Sequence, residues 1–221
     1  MGKIKQIIRK TIHGVPYTNK FTLLRALKGQ SLVINNKIHT ALEIAYEAHK
    51  DQKRDDGSSY LNQHIYPVTL DIVKMCSKHL AFDLTEDLVC AALLHDVIED
   101  SEKFNFEMLE KKFGIKVRAI VGELTRRPEN NIYDDKDEIK RKIVTAEALS
   151  FNKKTLYARI IKLADRINNL ESSVTIKKTR PEKFARHLEQ TKELYLPLAE
   201  KTNEYFYQRM KNVIESLSRL T

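Results

Sequence analysis

The 221-residue sequence predicts an all-α protein, a helical bundle of about nine helices. Three observations predict it. Six glycines and five prolines are few for this length, which favours helices over a sheet-rich fold with frequent turns. Apolar residues recur at three- and four-residue spacing in block after block. No pair of alternating segments joined by hairpin chemistry stands out, and Ser31–Ile34 is the one candidate for a short strand.

The elements follow in order. Ile38, Leu42, Ala45 and His49 share one helical face. Pro67 opens the next helix, where proline is tolerated, with Val68, Ile72 and Met75 as its stripe. Thr85 is the expected N-cap of a helix through Leu88, Ala91, Ala92, Leu94 and His95. Asn105 caps a short helix that Gly114 stops, and another runs from Ile115 to Thr125. Residues 126–136, with Pro128, Asn130 and Asn131, read as a loop before a charged helix that ends near Leu149. Leu156, Ile160, Leu163, Ala164, Ile167 and Leu170 mark a strongly buried helix. Ser172 to Arg180 reads as a loop. Pro181 then opens a helix through Phe184, Leu188, Leu194 and Leu198, and the last helix spans Asn203 to Leu217.

The length suits one domain with an appendage, and the charge suggests where the appendage lies. The net charge is +9. Residues 1–37 carry eight lysines and arginines and no Asp or Glu, which leaves the remainder near charge balance. A basic N-terminal arm over 1–37 and a main domain over 38–221 are therefore expected. Such an arm suits nucleic acid, an anionic lipid surface or an acidic partner, or is a solvated extension. No run of about 18 apolar residues exists and no signal-peptide apolar region is present, so no membrane span and a cytoplasmic location are expected. Cys76 and Cys90 sit in apolar helical surroundings and are expected as reduced core thiols.

Chemistry concentrates in three places. His95-Asp96 ends the apolar run Cys90-Ala-Ala-Leu-Leu, and a buried carboxylate there needs a partner such as a divalent metal. Glu99 and Asp100 follow at once, with Glu99 one helical turn beyond His95. In Lys162-Leu-Ala-Asp165-Arg-Ile-Asn-Asn169, Asp165 and Asn169 stand four apart in the most apolar helix of the chain. An Asp in such a helix faces a functional cavity or a buried partner. His64 stands at the mouth of the Pro67 helix. Together His64, His95, Asp96 and Asp165 make a mixed nitrogen and oxygen ligand set with positions left open. That set suits Mn²⁺, Fe²⁺ or Zn²⁺ better than the all-oxygen sites of Mg²⁺ or Ca²⁺.

The order His64, His95-Asp96, Glu99-Asp100, Asp165 resembles the HD-type hydrolase domain of RelA/SpoT proteins, in its stand-alone small alarmone hydrolase form. The strings that carry the resemblance are Ala41-Leu-Glu-Ile-Ala-Tyr-Glu-Ala-His49, Gln52-Lys-Arg54, Ala91-Ala-Leu-Leu-His-Asp-Val-Ile-Glu-Asp100, Phe113-Gly114, Lys162-Leu-Ala-Asp-Arg166 and Leu194-Tyr-Leu-Pro-Leu-Ala199. It covers about residues 38–200 and is far more specific than an HD dipeptide. The resemblance implies Mn²⁺-dependent removal of pyrophosphate from the ribose 3′ position of ppGpp or pppGpp, the alarmones of the stringent response. It implies His64, His95, Asp96 and Asp165 as metal ligands, and Glu99 and Asp100 as the residues that orient and activate water. Lys53, Arg54, Asn169, Ser172 and Tyr195 are implied as nucleotide contacts. Alarmone synthesis is not expected.

The chain departs from the family pattern at several points. Ile65 and Tyr66 separate His64 from Pro67, and the Tyr60-to-His64 spacing is one residue longer than usual. Asp55 stands where a basic residue often follows Arg54, and Glu171 where one is common. These changes leave open a different nucleotide substrate, such as an adenosine alarmone, NADPH, a deoxynucleotide or a cyclic nucleotide. Separately, the basic arm leaves open a nucleic-acid-associated protein with the HD domain as its effector.

Overall fold

Small polar side chains set most helix starts. In this computed structural model, Asn19, Asn35, Thr85, Asn105, Thr155 and Asn203 each accept a hydrogen bond from a backbone N–H in the first turn of the helix that follows, which satisfies donors that have no intrahelical partner. Residues 11–12, 15–16, 18–30, 32–78, 83–125 and 150–219 are described. They form α1 (Lys20–Lys28), α2 (Asn36–His49), α3 (Tyr66–Lys78), α4 (Glu86–Leu93), α5 (Val97–Asp100), α6 (Phe106–Phe113) and α7 (Ile115–Leu124). After these come α8 (Leu156–Ser172), α9 (Pro181–Gln190), α10 (Leu196–Thr202) and α11 (Glu204–Ser218).

The fold is all-α. The described helices exceed the expected set because α1 falls in the presumed arm, α5 is a separate short turn, and α9 and α10 are split. A π-helical turn, Thr191–Tyr195, joins α9 to α10, and another, Leu61–Ile65, runs into α3. Two corrections concern strands and loops. Residues 32–34 have no regular structure. A two-residue antiparallel pair instead joins β1 (Thr11–Ile12) to β2 (Val15–Pro16). The expected loop after Ser172 begins as a 3₁₀ turn, Ser173–Ile176, that prolongs α8. The loop and charged helix expected over 126–149 lie outside the described residues.

Helix α8 is the centre of the bundle. It packs against α3, α7, α10 and α11, and an apolar helix that is covered on several sides must lie inside. Three of its polar residues, Lys162, Asp165 and Asn168, are buried with it. Helix α2 packs on α4 and α5, and α4 on α7. Gly114 takes a φ of 86°, which lets α6 turn directly into α7. Helix α1 belongs to this core as well, because Leu23 and Leu27 are fully buried in the same apolar cluster and α1 packs on α3. The stretch that charge alone sets apart as an arm therefore supplies core residues from α1 onward. Among the described residues no helix is long and apolar enough to cross a membrane.

Candidate metal centre

Three parts of the chain bring the polar residues together. The π turn before α3 carries His64, the bend between α4 and α5 carries His95 and Asp96, and α8 carries Asp165. The π turn answers the longer Tyr60-to-His64 spacing. The Tyr66 N–H bonds to the Leu61 carbonyl, an i to i−5 link, and the wider turn keeps Tyr60 and His64 on one side. Their rings lie 4.7 Å apart.

The hydrogen bonds fix both imidazole tautomers. His95 Nδ1 lies 2.8 Å from the Ala92 carbonyl oxygen, which only accepts, so Nδ1 carries the proton and Nε2 offers a lone pair. Asn168 Nδ2 donates to the Gln63 carbonyl at 3.1 Å, so Asn168 Oδ1 faces His64 and accepts from its Nδ1–H at 2.7 Å. His64 Nε2 is therefore also a lone pair, 3.3 Å from His95 Nε2. Asp96 Oδ2 lies 3.2 Å from each Nε2, and Tyr60 Oη donates to the same oxygen at 2.6 Å. Asp165 Oδ1 is 3.4 Å from His64 Nε2 and accepts from Asn169 Nδ2.

This donor set fits a divalent ion. Ligands held at about 2.1 Å around one ion stand about 3.0–3.4 Å from one another, the range seen here. Two lone pairs and the Asp96 carboxylate converge, with Asp165 reaching His64 at the edge of the group, and the rings place no proton donor of their own between them. Burial opposes a charged imidazole at His95, yet the Asp96 carboxylate, helped by Asp165, outweighs it and pushes that pKa up to about 9. Burial likewise opposes the Asp96 anion, but the two imidazoles hold its carboxyl well below the usual range. The centre thus attracts positive charge, as proton or metal. His64, His95 and Asp96 place their donor atoms within 4.8 Å of one another, and Asp165 borders that group. Cys76 and Cys90 are buried, free, and no part of it.

Two cavities flank the centre and meet at Tyr60 and Asn169. One, of ≈ 160 Å³, is lined by Glu99, Asp100, Lys162 and Leu124 together with His95, Asp96 and Asp165. The other, of ≈ 240 Å³, is lined by Lys53, Arg54, Asp55, Ser172, Lys183 and His187 among others. A turn with Gly57 at φ 80° folds residues 54–58 back on themselves, through Gly57 N–H to the Arg54 carbonyl. Arg54 then reaches α8, where Nη2 donates to Asn169 Oδ1 at 3.1 Å and to Ser172 Oγ.

Most expected residues gather here. Tyr195 does not line either cavity. It is 2% exposed, and its ring lies under the Arg166 guanidinium at 4.6 Å. Arg166 is itself tied to Thr191 Oγ1 and the His187 carbonyl, which holds the ring in the interior. Glu171 also points away, pairing with Arg209 at 2.9 Å on the far side of α8. It therefore does not line the ≈ 240 Å³ cavity. Asp55 does lie there, paired with Lys183 at 3.0 Å and Arg180 at 3.4 Å.

Sequence reasoning missed three supporting residues. Tyr60 and Asn168 hold the metal centre as described. Gln52 Nε2 donates to Asp100 Oδ2 at 3.0 Å, and its Oε1 accepts from His49 Nδ1 at 2.6 Å. The string His49-Lys-Asp-Gln52 was visible, but its link to Asp100 crosses 48 positions.

The sequence pattern of the HD domain matches residues 41–203. A guanosine-3′,5′-bis(diphosphate) 3′-pyrophosphohydrolase of Haemophilus influenzae is 33% identical over 182 residues, covering 79% of this chain and 23% of that protein. The bifunctional (p)ppGpp synthase/hydrolase SpoT of Escherichia coli is 31% identical over 166 residues, covering 74% of this chain and 21% of its own length. The chain thus spans about a fifth of the length of these curated relatives. A solved structure of a metazoan ortholog of SpoT, described as hydrolysing ppGpp and acting in starvation responses, superposes with a TM-score of 0.63 at 24% identity. That match covers 83% of this chain and 97% of the other and shows the shared fold. On the match over 41–203, the chain belongs to the HD-domain family.

Proposed function

We propose that this chain is a metal-dependent phosphohydrolase that removes the 3′-diphosphate of ppGpp or pppGpp, giving GDP or GTP and pyrophosphate. The observation that carries the reading is the convergence of His64, His95, Asp96 and Asp165 donor atoms beside a cavity that also holds Glu99 and Asp100. In this reading those four residues hold Mn²⁺, with Fe²⁺ or Zn²⁺ as substitutes of similar ligand preference. The ion supplies Lewis acidity toward water and phosphoryl oxygens. Glu99 and Asp100 orient the attacking water and take its proton, and Gln52 keeps Asp100 aimed at it. The water oxygen bonds to the phosphorus carried by the ribose 3′-oxygen. The P–O3′ bond breaks, and the 3′-oxygen takes up a proton and leaves as a hydroxyl. Lys53, Arg54, Asn169 and Ser172 hold the nucleotide in the neighbouring cavity.

A second reading keeps the chemistry and changes the nucleotide. It is favoured by Asp55, whose carboxylate lines the cavity where the family often has a base. A substrate panel of ppGpp, an adenosine alarmone, NADPH, a deoxynucleoside triphosphate and a cyclic nucleotide, run with Mn²⁺ and resolved by chromatography, tests both. Pyrophosphate and GDP from ppGpp support the first reading. Turnover of another nucleotide alone supports the second. For the basic residues that precede α1 we propose contact with a polyanion, which salt-dependent binding to nucleic acid or anionic vesicles tests. Free, buried Cys76 and Cys90 fit a place in the reducing cytoplasm.

A further inference from the structure

Lys162, Asp165 and Asn169 succeed one another at three and four residues along α8, so they share a face, and all three line the ≈ 160 Å³ cavity beside the metal centre. Lys162 is only 8% exposed. Lysine is among the residues least suited to burial, and it is kept inside by a partner or by a task. Its ammonium has Asp165 Oδ2 at 3.3 Å and the Phe151 ring at 5.7 Å. Asp165 divides its two oxygens, Oδ1 toward His64 Nε2 and Oδ2 toward Lys162. The lysine is therefore coupled to the ion centre while it lines the cavity, and its ammonium is a three-donor group.

Charge gives this placement its meaning. The same cavity is lined by the carboxylates of Asp96, Glu99, Asp100 and Asp165. Among the described residues that line it, Lys162 is the one lysine or arginine. A divalent ion offsets part of that negative charge, and Lys162 offsets more. Lys53 and Arg54 line the other cavity, beyond Tyr60 and Asn169, so they do not replace it. A cavity built to receive an anion among four carboxylates needs a cation on the wall that the anion reaches.

We propose that Lys162 binds the terminal phosphate of the substrate's diphosphate, and holds the same group in the pyrophosphate product. This rests on the phosphohydrolase reading above. As the P–O3′ bond breaks, its electron pair goes to the 3′-oxygen, and the attacking water oxygen, having given up its proton, brings the extra negative charge that the pyrophosphate product carries; a fixed ammonium beside the diphosphate offsets that charge as it is delivered. Lys162 is then a catalytic residue that touches substrate.

The test uses the full chain loaded with Mn²⁺ and compares wild type with Lys162→Met and Lys162→Arg. Metal affinity is read by electron paramagnetic resonance, and inorganic pyrophosphate affinity by calorimetry. Loss of the Lys162–Asp165 contact is expected to weaken Mn²⁺ affinity by up to about 10–100-fold, so both variants are compared at Mn²⁺ concentrations at which electron paramagnetic resonance shows them fully loaded. Pyrophosphate affinity should fall at least tenfold in Lys162→Met, and the loss should be largely rescued in Lys162→Arg; kcat on ppGpp should fall about 10²-fold in the methionine variant. Unchanged pyrophosphate affinity in metal-loaded Lys162→Met overturns the proposal, as does a loss explained wholly by lost metal. A measurement on wild type covers the case in which the variant does not fold. Pyrophosphate with Mn²⁺ should protect Lys162 from reductive methylation, read by peptide mass spectrometry, and absence of protection overturns the proposal too. Wild-type protein that binds pyrophosphate through Lys162 yet leaves ppGpp intact refutes the substrate reading and not this one.

Discussion

The Nε2 atoms of His64 and His95 face each other at 3.3 Å, while the Nδ1–H of each ring is held by an acceptor that fixes its tautomer, Asn168 Oδ1 for one and the Ala92 carbonyl for the other. Two imidazole lone pairs aimed at one point repel unless a cation lies between them. Asp96→Ala and His95→Ala should therefore lose metal and hydrolysis together, and elemental analysis checks it. Full metal occupancy in both variants contradicts the ligand assignment.

Asn168 is predicted to tune that centre without touching the metal. Removing the acceptor that orients a metal-bound imidazole lowers metal affinity by about 10–100-fold. Asn168→Ala should show that loss. Asn168→Asp should bind metal at least as well as wild type, because a carboxylate accepts the same Nδ1–H and makes the ring more basic. Equal affinity in all three proteins, measured by competition with a chelator, goes against the role.

Glu99→Gln and Asp100→Asn keep shape and lose the base. Each should retain metal while kcat falls about 10²–10⁴-fold. Gln52→Leu should fall in the same direction by less, since it frees Asp100 without removing it. Near wild-type turnover with metal present in the first two variants means that another group handles the water.

How much of this was visible in the sequence depends on distance along the chain. The caps at Thr85 and Asn105, the stop at Gly114 and the opening at Pro181 are local chemistry, and the structure places them as expected. His95, Asp96 and Asp165 stand out because polar ligands interrupt apolar helices, whereas His64, at the mouth of the Pro67 helix, is marked only by the order of the whole set. Tyr60, Asn168 and Gln52 do not stand out, since their partners lie 36 to 105 positions away and no local pattern marks them. Charge misled at the N-terminus. It averaged over residues 1–37 and hid Leu23 and Leu27, four apart and fully buried.

Helix α1 is accordingly predicted to support the fold. Leu23→Ala or Leu27→Ala should destabilise the protein by about 2–5 kcal/mol each, read by urea unfolding. Removing residues 1–10 should leave hydrolysis intact, whereas removing 1–37 should not. A stable, fully active product of the longer deletion contradicts the packing of α1.

His187, in the wall of the ≈ 240 Å³ cavity, carries a pH signature. Burial, with Arg166 and Lys183 nearby, pushes its pKa down to about 4. Its ordinary value is 6.5, so the unfolded chain takes up a proton in that interval that the folded state resists. Stability should fall as pH drops from 6.5 toward 4. His187→Gln should flatten the upper part of that fall, between about 6.5 and 5, where carboxylates contribute least. An unchanged slope in the variant contradicts the burial of the ring.

The most direct test of the central claim is the product analysis of ppGpp incubated with the full chain and Mn²⁺. GDP and one pyrophosphate per turnover are expected, abolished by a chelator, restored by Mn²⁺ and absent in Asp96→Ala. Release of orthophosphate, loss of phosphate from the 5′ side, or turnover that persists in chelator-treated Asp96→Ala contradicts it.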